Sequence, residues 1–303
     1  MDPLKQNLIS GKTALVGVMG WPVSHTLSPA MQNAALAEAG INAAYVALPV
    51  EPARLADAVA GLRALGFMGS NVTIPHKVGV AALMDELTTE ARTIGAVNTI
   101  RVEPDGRLTG HNTDCLGATR AMEQDGTPLA GRTVLILGAG GAGRGVAVGA
   151  ALAGATRVIL LNRSREKAEE LARELSAATT LSAGVEWIPG GLAQAHEADG
   201  LPWAEIGAVF QMTSLGMKPG EPLPADVAFL RPDCHVLEAV YSPLETDFLR
   251  AARAKGLRTT DGLAMLLEQG AIAFEFWFGR APSRATMRRA LEAARSQPPA
   301  RSS

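Results

Sequence analysis

The run Val134-Leu135-Ile136-Leu137-Gly138-Ala139-Gly140-Gly141-Ala142-Gly143 decides the fold. Four apolar residues in succession predict a buried strand, and the Ala/Gly/Val-rich stretch that continues to Ala153 predicts a helix. Gly138, Gly140 and Gly143 form G-x-G-x-x-G at the join. Glycines there permit a tight turn and close approach of a pyrophosphate to the backbone. The helix N-terminus offers the anion free N–H groups and the positive end of its dipole. Alone the motif is weak, because glycine-rich helix starts also serve plain helix–sheet packing. A second strand over Val158 to Leu161 completes a strand–turn–helix–strand unit, and in that setting a dinucleotide site is the stronger reading.

The end of the second strand selects the cofactor. An NAD site places an acid ~20 residues past the glycines, on the ribose hydroxyls. Here the chain reads Asn162-Arg163-Ser164, followed by Arg165 and Lys167. A carboxylate would repel a 2′-phosphate, whereas a guanidinium pairs with it through two hydrogen bonds. The bland alternative, a solvated basic cluster, is weakened by the preference of helix starts for acids. The expected cofactor is NADP(H).

Working outward, short β-rich runs alternate with amphipathic helical runs, the pattern of an α/β fold. Ser28 is a candidate cap for an early helix, with Pro29 in its first turn and Gly40 at its end. A strand follows at Tyr45 to Val50, then a helix with Leu55, Ala58, Val59 and Leu62 on one face, stopping at Gly66. Ser70 to Ile74 reads as a strand running into a helix that begins near Pro75. Ile94 to Asp114 reads as a hairpin turning at Pro104-Asp105-Gly106. Further strands are expected at Ala208-Val209-Phe210 and Val236-Leu237. A long helix carrying Met265, Leu266 and Phe274 follows Asp261-Gly262, and a last one follows Ser283. The expected organisation is an N-terminal α/β substrate-binding domain over residues 1–115, a Rossmann-type NADP-binding domain over 116–261, and helices in 262–303 returning to the first domain. The tail from Gln297 is expected to fray.

Composition bounds the function. The 303 residues suit two domains of ~100–200 residues each. A formal charge of −2 supplies no field for nucleic acid or an anionic membrane. The longest apolar region, Val134 to Leu161, is broken by Arg144 and Arg157, so no run approaches the ~20 residues of a membrane span. Met1 to Lys12 lacks the apolar core of a signal peptide. Cys115 and Cys234 are far apart, and His25, His76, His111, His196 and His235 show no ligand spacing. The expectation is a cytoplasmic protein with free thiols and no metal.

A second set of signals lies outside the nucleotide unit: Thr26 and Ser28 in Gly20-Trp21-Pro22-Val23-Ser24-His25-Thr26-Leu27-Ser28-Pro29, then Asn71-Val72-Thr73-Ile74-Pro75-His76-Lys77, Ala96-Val97-Asn98-Thr99 and Asn112-Thr113-Asp114. Singly they have plain readings: a helix cap, a surface lysine, a turn asparagine. Together they supply hydroxyls, amides, one ammonium and one carboxylate, the equipment for orienting a polyhydroxylated acid.

In order, these motifs, the glycine turn and Asn162-Arg163-Ser164 resemble the shikimate dehydrogenase family over nearly the whole chain. The resemblance continues through Thr213-Ser214-Leu215-Gly216-Met217, Val240-Tyr241-Ser242-Pro243, and Asp261-Gly262-Leu263-Ala264-Met265-Leu266 with Gln269. The stretch His25 to Asn33 is also similar to the quinate/shikimate dehydrogenase branch. The resemblance implies an NADP-dependent oxidoreductase that reversibly reduces 3-dehydroshikimate to shikimate in aromatic amino acid (chorismate) biosynthesis. It implies that Thr26 and Ser28 bind the substrate carboxylate, and that Thr73, Asn98, Asp114, Tyr241 and Gln269 complete the substrate site. Lys77 and Asp114 would be the catalytic pair at the carbon that changes oxidation state, an ammonium there being able to steady a developing alkoxide. The cofactor would lie against Gly138, Ala139, Gly140, Gly141, Ala142, Gly143, Asn162, Arg163, Ser164, Lys167, Thr213, Ser214, Gly262 and Met265. Against the commonest family pattern, Thr26 stands for serine, Gln211 for Asn, Glu238 for Asp, and Cys115 and Ala264 for glycine. A quinate/shikimate dehydrogenase using NAD or NADP, or a non-catalytic shikimate- or nucleotide-binding regulator, are the alternatives. The chain is expected to act as a monomer or homodimer.

Overall fold

The computed structural model describes residues 9–177, 184–187 and 191–296; the tail from Gln297 and residues 1–8 lie outside the described residues. The backbone divides into two units, residues 1–113 with 269–303, and residues 114–268. The divisions differ slightly from those read from sequence, at Cys115 and Gly262. Asp114 and Cys115 open a helix packed on the glycine-turn helix, where a Cβ on Gly149 would fall on the Cys115 carbonyl. The second division falls inside one continuous helix.

In the first unit the chain runs β1 (Ala14–Gly20), α1 (Ser28–Glu38), β2 (Ala43–Pro49), α2 (Leu55–Ala64), β3 (Phe67–Val72), β4 (Glu86–Leu87), α3 (Thr89–Ile94), β5 (Thr99–Val102) and β6 (Leu108–His111). The sheet order is β2-β1-β3-β5-β6-β4. β2, β1 and β3 are parallel; β5 runs antiparallel to β3 and β6. Met19, Phe67, Val72, Val80, Ile100 and Leu108 share its core.

Three local expectations need correction here. Ser28 is the first residue of α1 rather than its cap, and its own N–H is taken by the Thr26 hydroxyl at 3.3 Å. No helix begins at Pro75. The carbonyl of Lys77 accepts from Val97 N–H at 2.8 Å, so it is tied to the approach to β5 instead of to a helical amide four residues on. Only a short 3-10 turn forms, at Gly79–Leu83. The hairpin begins at Thr99, not Ile94, because Thr89–Ile94 is helical: the Thr88 hydroxyl accepts from Ala91 N–H, and Gly95 ends the helix at φ 68°. Its turn lies where expected, with Gly106 at φ 85° donating to Glu103 O.

The second unit continues with α4 (Asp114–Gln124), β7 (Thr133–Leu137), α5 (Gly141–Leu152), β8 (Arg157–Leu161), α6 (Arg165–Ala177), β9 (Gly184–Trp187), β10 (Ile206–Gln211), β11 (His235–Glu238), α7 (Asp247–Ala254) and β12 (Arg258–Thr260). The helix α8 (Gly262–Phe278) leads back to the first unit, followed by α9 (Arg284–Arg295), which the Ser283 hydroxyl caps by accepting from Thr286 N–H. The indole N–H of Trp277 donates to Ile100 O at 2.8 Å and fastens the second half of α8 on β5. In the second unit all neighbouring strands are parallel, in the order β12-β11-β10-β7-β8-β9. Counted from β7 and read from the β9 edge, that order is 3-2-1-4-5-6, the dinucleotide-binding arrangement, with its topological switch between β7 and β10. Val134 to Leu137 are wholly buried, as a central parallel strand with both faces covered requires.

Candidate functional site

At the switch, the three glycines of the turn have three different surroundings. Gly138 adopts φ 111°, and a Cβ there would lie 3.0 Å from Met212 C and 3.1 Å from the Thr213 methyl. Gly143 sits so close behind it that a Cβ would fall on the Gly138 carbonyl group, 2.9 Å from its carbon. Gly140 caps α5 in extended conformation, and nothing lies within 4 Å of an added Cβ. One glycine thus makes the turn and one allows the helix to pack. The third leaves open space at the N-terminus of a helix, whose first N–H groups suit an anion such as a pyrophosphate.

The end of β8 is bound into this turn. Gly138 N–H donates to Leu161 O at 2.7 Å, the Asn162 side-chain oxygen accepts from Ala139 N–H at 3.2 Å, and its amide donates to Ser164 O at 2.9 Å. Asn162 therefore shapes the loop. Ser164 donates to the Glu166 carboxylate at 2.9 Å, and the side chains of Arg163 and Lys167 are exposed beside it.

On the other side of the switch, β10 and β11 end in register at Gln211 and Glu238, both wholly buried. The Gln211 oxygen accepts from Thr213 N–H at 2.7 Å, and its amide donates to Leu215 O at 2.9 Å and to Glu238 Oε1 at 3.3 Å. Glu238 accepts from Val240 N–H at 2.9 Å and from the Thr246 hydroxyl at 3.1 Å. Burial pushes its carboxyl up to about 7. Ser214 is exposed and Thr213 half-buried. Gly262 starts α8 against the second loop, where a Cβ would lie 2.6 Å from Val240 O and 2.7 Å from Ala239 O. Met265 is buried one turn later, and burial also raises the half-buried Tyr241 phenol.

The first unit gathers the other candidates. Thr26 donates to the Ser28 hydroxyl at 3.2 Å, which makes them neighbours in space as well as in sequence. A buried polar chain joins three strands and a helix. Tyr45 donates to Asn71 Oδ1 at 2.7 Å; Asn71 donates to Thr99 Oγ1 at 2.9 Å; Thr99 donates to Asn98 Oδ1 at 3.0 Å. The Asn98 amide donates to Thr113 Oγ1 at 3.0 Å, and Thr113 donates to Gln269 Oε1 at 3.4 Å. Asn98 is thereby fixed in one orientation, and Gln269 is brought to it from α8. Burial raises the Tyr45 phenol, which therefore acts as a donor throughout the neutral range.

Thr73 and Lys77 lie on one loop. Thr73 N–H donates to Met19 O at 2.8 Å, and the buried His76 ring bonds Val50 O at 2.7 Å, anchoring the loop one residue before Lys77. Lys77 is half-buried. Asp114, buried, follows Thr113 directly in the chain and opens α4, where a carboxylate suits the helix dipole. Tyr45, Thr99 and Thr113 carry no individual role in the sequence reading: Thr99 and Thr113 stand there within the Ala96–Thr99 and Asn112–Asp114 motifs, and Tyr45 shows only as a strand residue. Among the described residues no group of three or more His, Cys, Asp or Glu is placed to hold a metal ion, and no helix is long and apolar enough to cross a membrane.

Comparison with known proteins matches three family descriptions along the chain: the shikimate dehydrogenase substrate binding domain over residues 18–100, shikimate / quinate 5-dehydrogenase over 120–196, and the shikimate 5′-dehydrogenase C-terminal domain over 262–292. The chain is 48% identical over 286 residues to the shikimate dehydrogenase (NADP(+)) of Symbiobacterium thermophilum, covering 94% of this chain and 95% of that one. Among solved structures it is similar to a shikimate dehydrogenase in complex with NADP+ (TM-score 0.86, 36% identity, 97% of this chain and 99% of that one). It is also similar to the ligand-free 5-ketofructose reductase of Gluconobacter sp. strain CHM43 (TM-score 0.85, 35% identity, 94% of this chain and 100% of that one).

Proposed function

The chain belongs to the shikimate dehydrogenase family, and from that premise we propose that it interconverts 3-dehydroshikimate and shikimate with NADP(H), in the biosynthesis of chorismate and the aromatic amino acids. The observation that carries this reading is the pairing of a glycine cradle, followed by Arg163 where an NAD site has an acid, with a substrate unit built around the fixed Asn98–Thr113–Gln269 cluster.

When bound, NADP(H) supplies the hydride for reduction and takes it up in oxidation. The chain's own residues do the rest. The Thr26 and Ser28 hydroxyls donate to the substrate carboxylate. Thr73, Asn98, Asp114, Tyr241 and Gln269 hold the ring hydroxyls and so choose which carbon is presented. As a ketone is reduced its oxygen gains negative charge, and the Lys77 ammonium steadies that charge and delivers the proton. In oxidation the proton leaves the hydroxyl by the reverse of the same route. Asp114 orients the lysine and the hydroxyl, so proton uptake belongs to the two as a coupled pair. Arg163 pairs with the 2′-phosphate, supported by Lys167, while the N–H groups opening α5 receive the pyrophosphate. Buried thiols at Cys115 and Cys234 suit the reducing cytoplasm in which we place the enzyme.

Lys77→Ala tests the assignment. Loss of one acid–base group should lower kcat by about 10²–10⁴-fold, while thermal unfolding and the Kd for NADP(H) stay at wild-type values. A folded variant with near-normal kcat would remove Lys77 from the chemistry.

A further inference from the structure

The dinucleotide's course over the sheet follows from the site geometry and rests on the function proposed above. Held as proposed above, its pyrophosphate would rest on the turn after β7 and its 2′-phosphate would be taken by Arg163 beyond β8. The nicotinamide half would then be left to the ends of β10 and β11, across the switch. Two loops leave those ends, and one buried pair of side chains ties them together. Gln211 holds both ends of the first loop, through Thr213 N–H at 2.7 Å and Leu215 O at 2.9 Å. Glu238 holds the start of the second through Val240 N–H at 2.9 Å, and its far end through the Thr246 hydroxyl at 3.1 Å. Thr246 in turn caps α7 by accepting from Leu249 N–H, and its side chain fills the space beside Gly216, where a Cβ would lie 3.1 Å from its methyl. Gln211 and Glu238 meet at 3.3 Å as register partners. Every polar atom of the pair is turned into the protein's own loops, and both residues are wholly buried. Neither has an atom left to offer a ligand.

We propose that Gln211 and Glu238 are positioning residues for the nicotinamide half of NADP(H): the pair locks the 213–216 and 240–246 loops together as one floor, and thereby sets cofactor affinity without touching cofactor or substrate. The effect falls mainly on the cofactor. Of the substrate residues named above only Tyr241 stands on these loops, whereas Asn98, Thr113 and Gln269 belong to the other unit and do not depend on the loops for their hydrogen bonds.

Calorimetric titration of NADP(H) into Glu238→Ala, with steady-state kinetics for both substrates, tests this. Loosening the floor should weaken the cofactor Kd and raise its KM by about 10-fold, with the shikimate KM and the saturated kcat within about 2- to 3-fold of wild type. Glu238→Gln keeps the length and the contacts, its amide facing the Thr246 oxygen, and should return the cofactor Kd to within about 3-fold of wild type. Gln211→Ala, which frees the first loop while leaving Glu238 on Val240 and Thr246, should give the same selective loss. It carries the test if Glu238→Ala does not fold. Glu238→Ala combined with Gln211→Ala should be no worse than the poorer single variant, because the two act as one unit. Unchanged cofactor Kd in a folded variant, or equal losses for both substrates, would overturn the proposal. A wild-type protein that binds NADP(H) yet turns over no shikimate would instead overturn the function, and the binding titration would still decide the role of the pair.

Discussion

Replacing Gly140 with alanine adds one methyl group at the only one of the three motif glycines where the protein itself leaves room. Its φ of −78° and ψ of −176° are open to any residue, and an added Cβ meets nothing within 4 Å. Two small effects on the fold oppose each other. Alanine narrows the unfolded ensemble, a gain of about 0.4–1 kcal/mol, and it is a poorer helix cap than glycine by about 0.5–1 kcal/mol. Their sum is near zero, so Tm should move by no more than about 2 °C. A pyrophosphate seated on the N–H groups of α5 would meet the methyl directly. Crowding a close contact costs about 1–3 kcal/mol, which at 1.4 kcal/mol per decade is about 5- to 150-fold in Kd. Gly143→Ala makes the contrast. There the Cβ falls on the Gly138 carbonyl, and because both partners are backbone the turn itself must shift. That variant should lose stability as well as affinity. Calorimetric titration with NADP+ and thermal unfolding of the two variants read both quantities. Wild-type affinity in Gly140→Ala would refute the cradle, and a fall in its Tm as large as that of Gly143→Ala would refute the open space.

Arg163→Ala should raise the KM for NADP+ by about 10- to 100-fold, the range of a charge-assisted hydrogen-bonded pair, and leave the KM for NAD+ nearly unchanged; equal losses for both cofactors would detach Arg163 from the 2′-phosphate. His235, buried between the hydroxyls of Thr127 at 2.8 Å and Thr260 at 2.9 Å, is held down to about 4 by burial, from an ordinary 6.5. The unfolded imidazole takes its proton near pH 6.5 and the folded one only near pH 4, so this contribution is complete above pH 6.5 and is lost as the pH falls through that window. The shift corresponds to about 3 kcal/mol. The stability difference between wild type and His235→Gln should therefore shrink by about that amount between pH 7 and pH 4. Glu238, raised from 4.5 to about 7, acts with the opposite sign, losing stability as the pH rises, but it is common to both proteins and drops out of the comparison. A difference independent of pH would contradict a neutral buried His235.

What could be read from the chain is what local rules control. A wholly apolar tetrapeptide before a glycine turn has one economical reading, and β7 with the cradle at Gly140 matches it. The family's ordered motifs likewise carried the reaction and the cofactor. What escaped depends on contacts between distant parts of the chain. Lys77 lies in a segment that looks helical, but its carbonyl is claimed by Val97 N–H, and no local propensity records that. Ser28 has the composition of a cap, yet Thr26 two residues earlier provides the hydroxyl that takes its N–H. Tyr45 and Asn71 become partners only because β1 separates and aligns their strands, and Thr113 meets Gln269 only because α8 returns to the first sheet. Gln211 and Glu238 stand out in sequence as departures from the common pattern. That the two are one hydrogen-bonded pair shows only once β10 and β11 lie in register.

The central claim is the pairing of substrate and cofactor, and steady-state oxidation of shikimate and quinate, each with NADP+ and with NAD+, tests it most directly. The kcat/KM should be highest for shikimate with NADP+ and fall when either partner is exchanged. A quinate rate equal to that for shikimate, or a preference for NAD+, would contradict it.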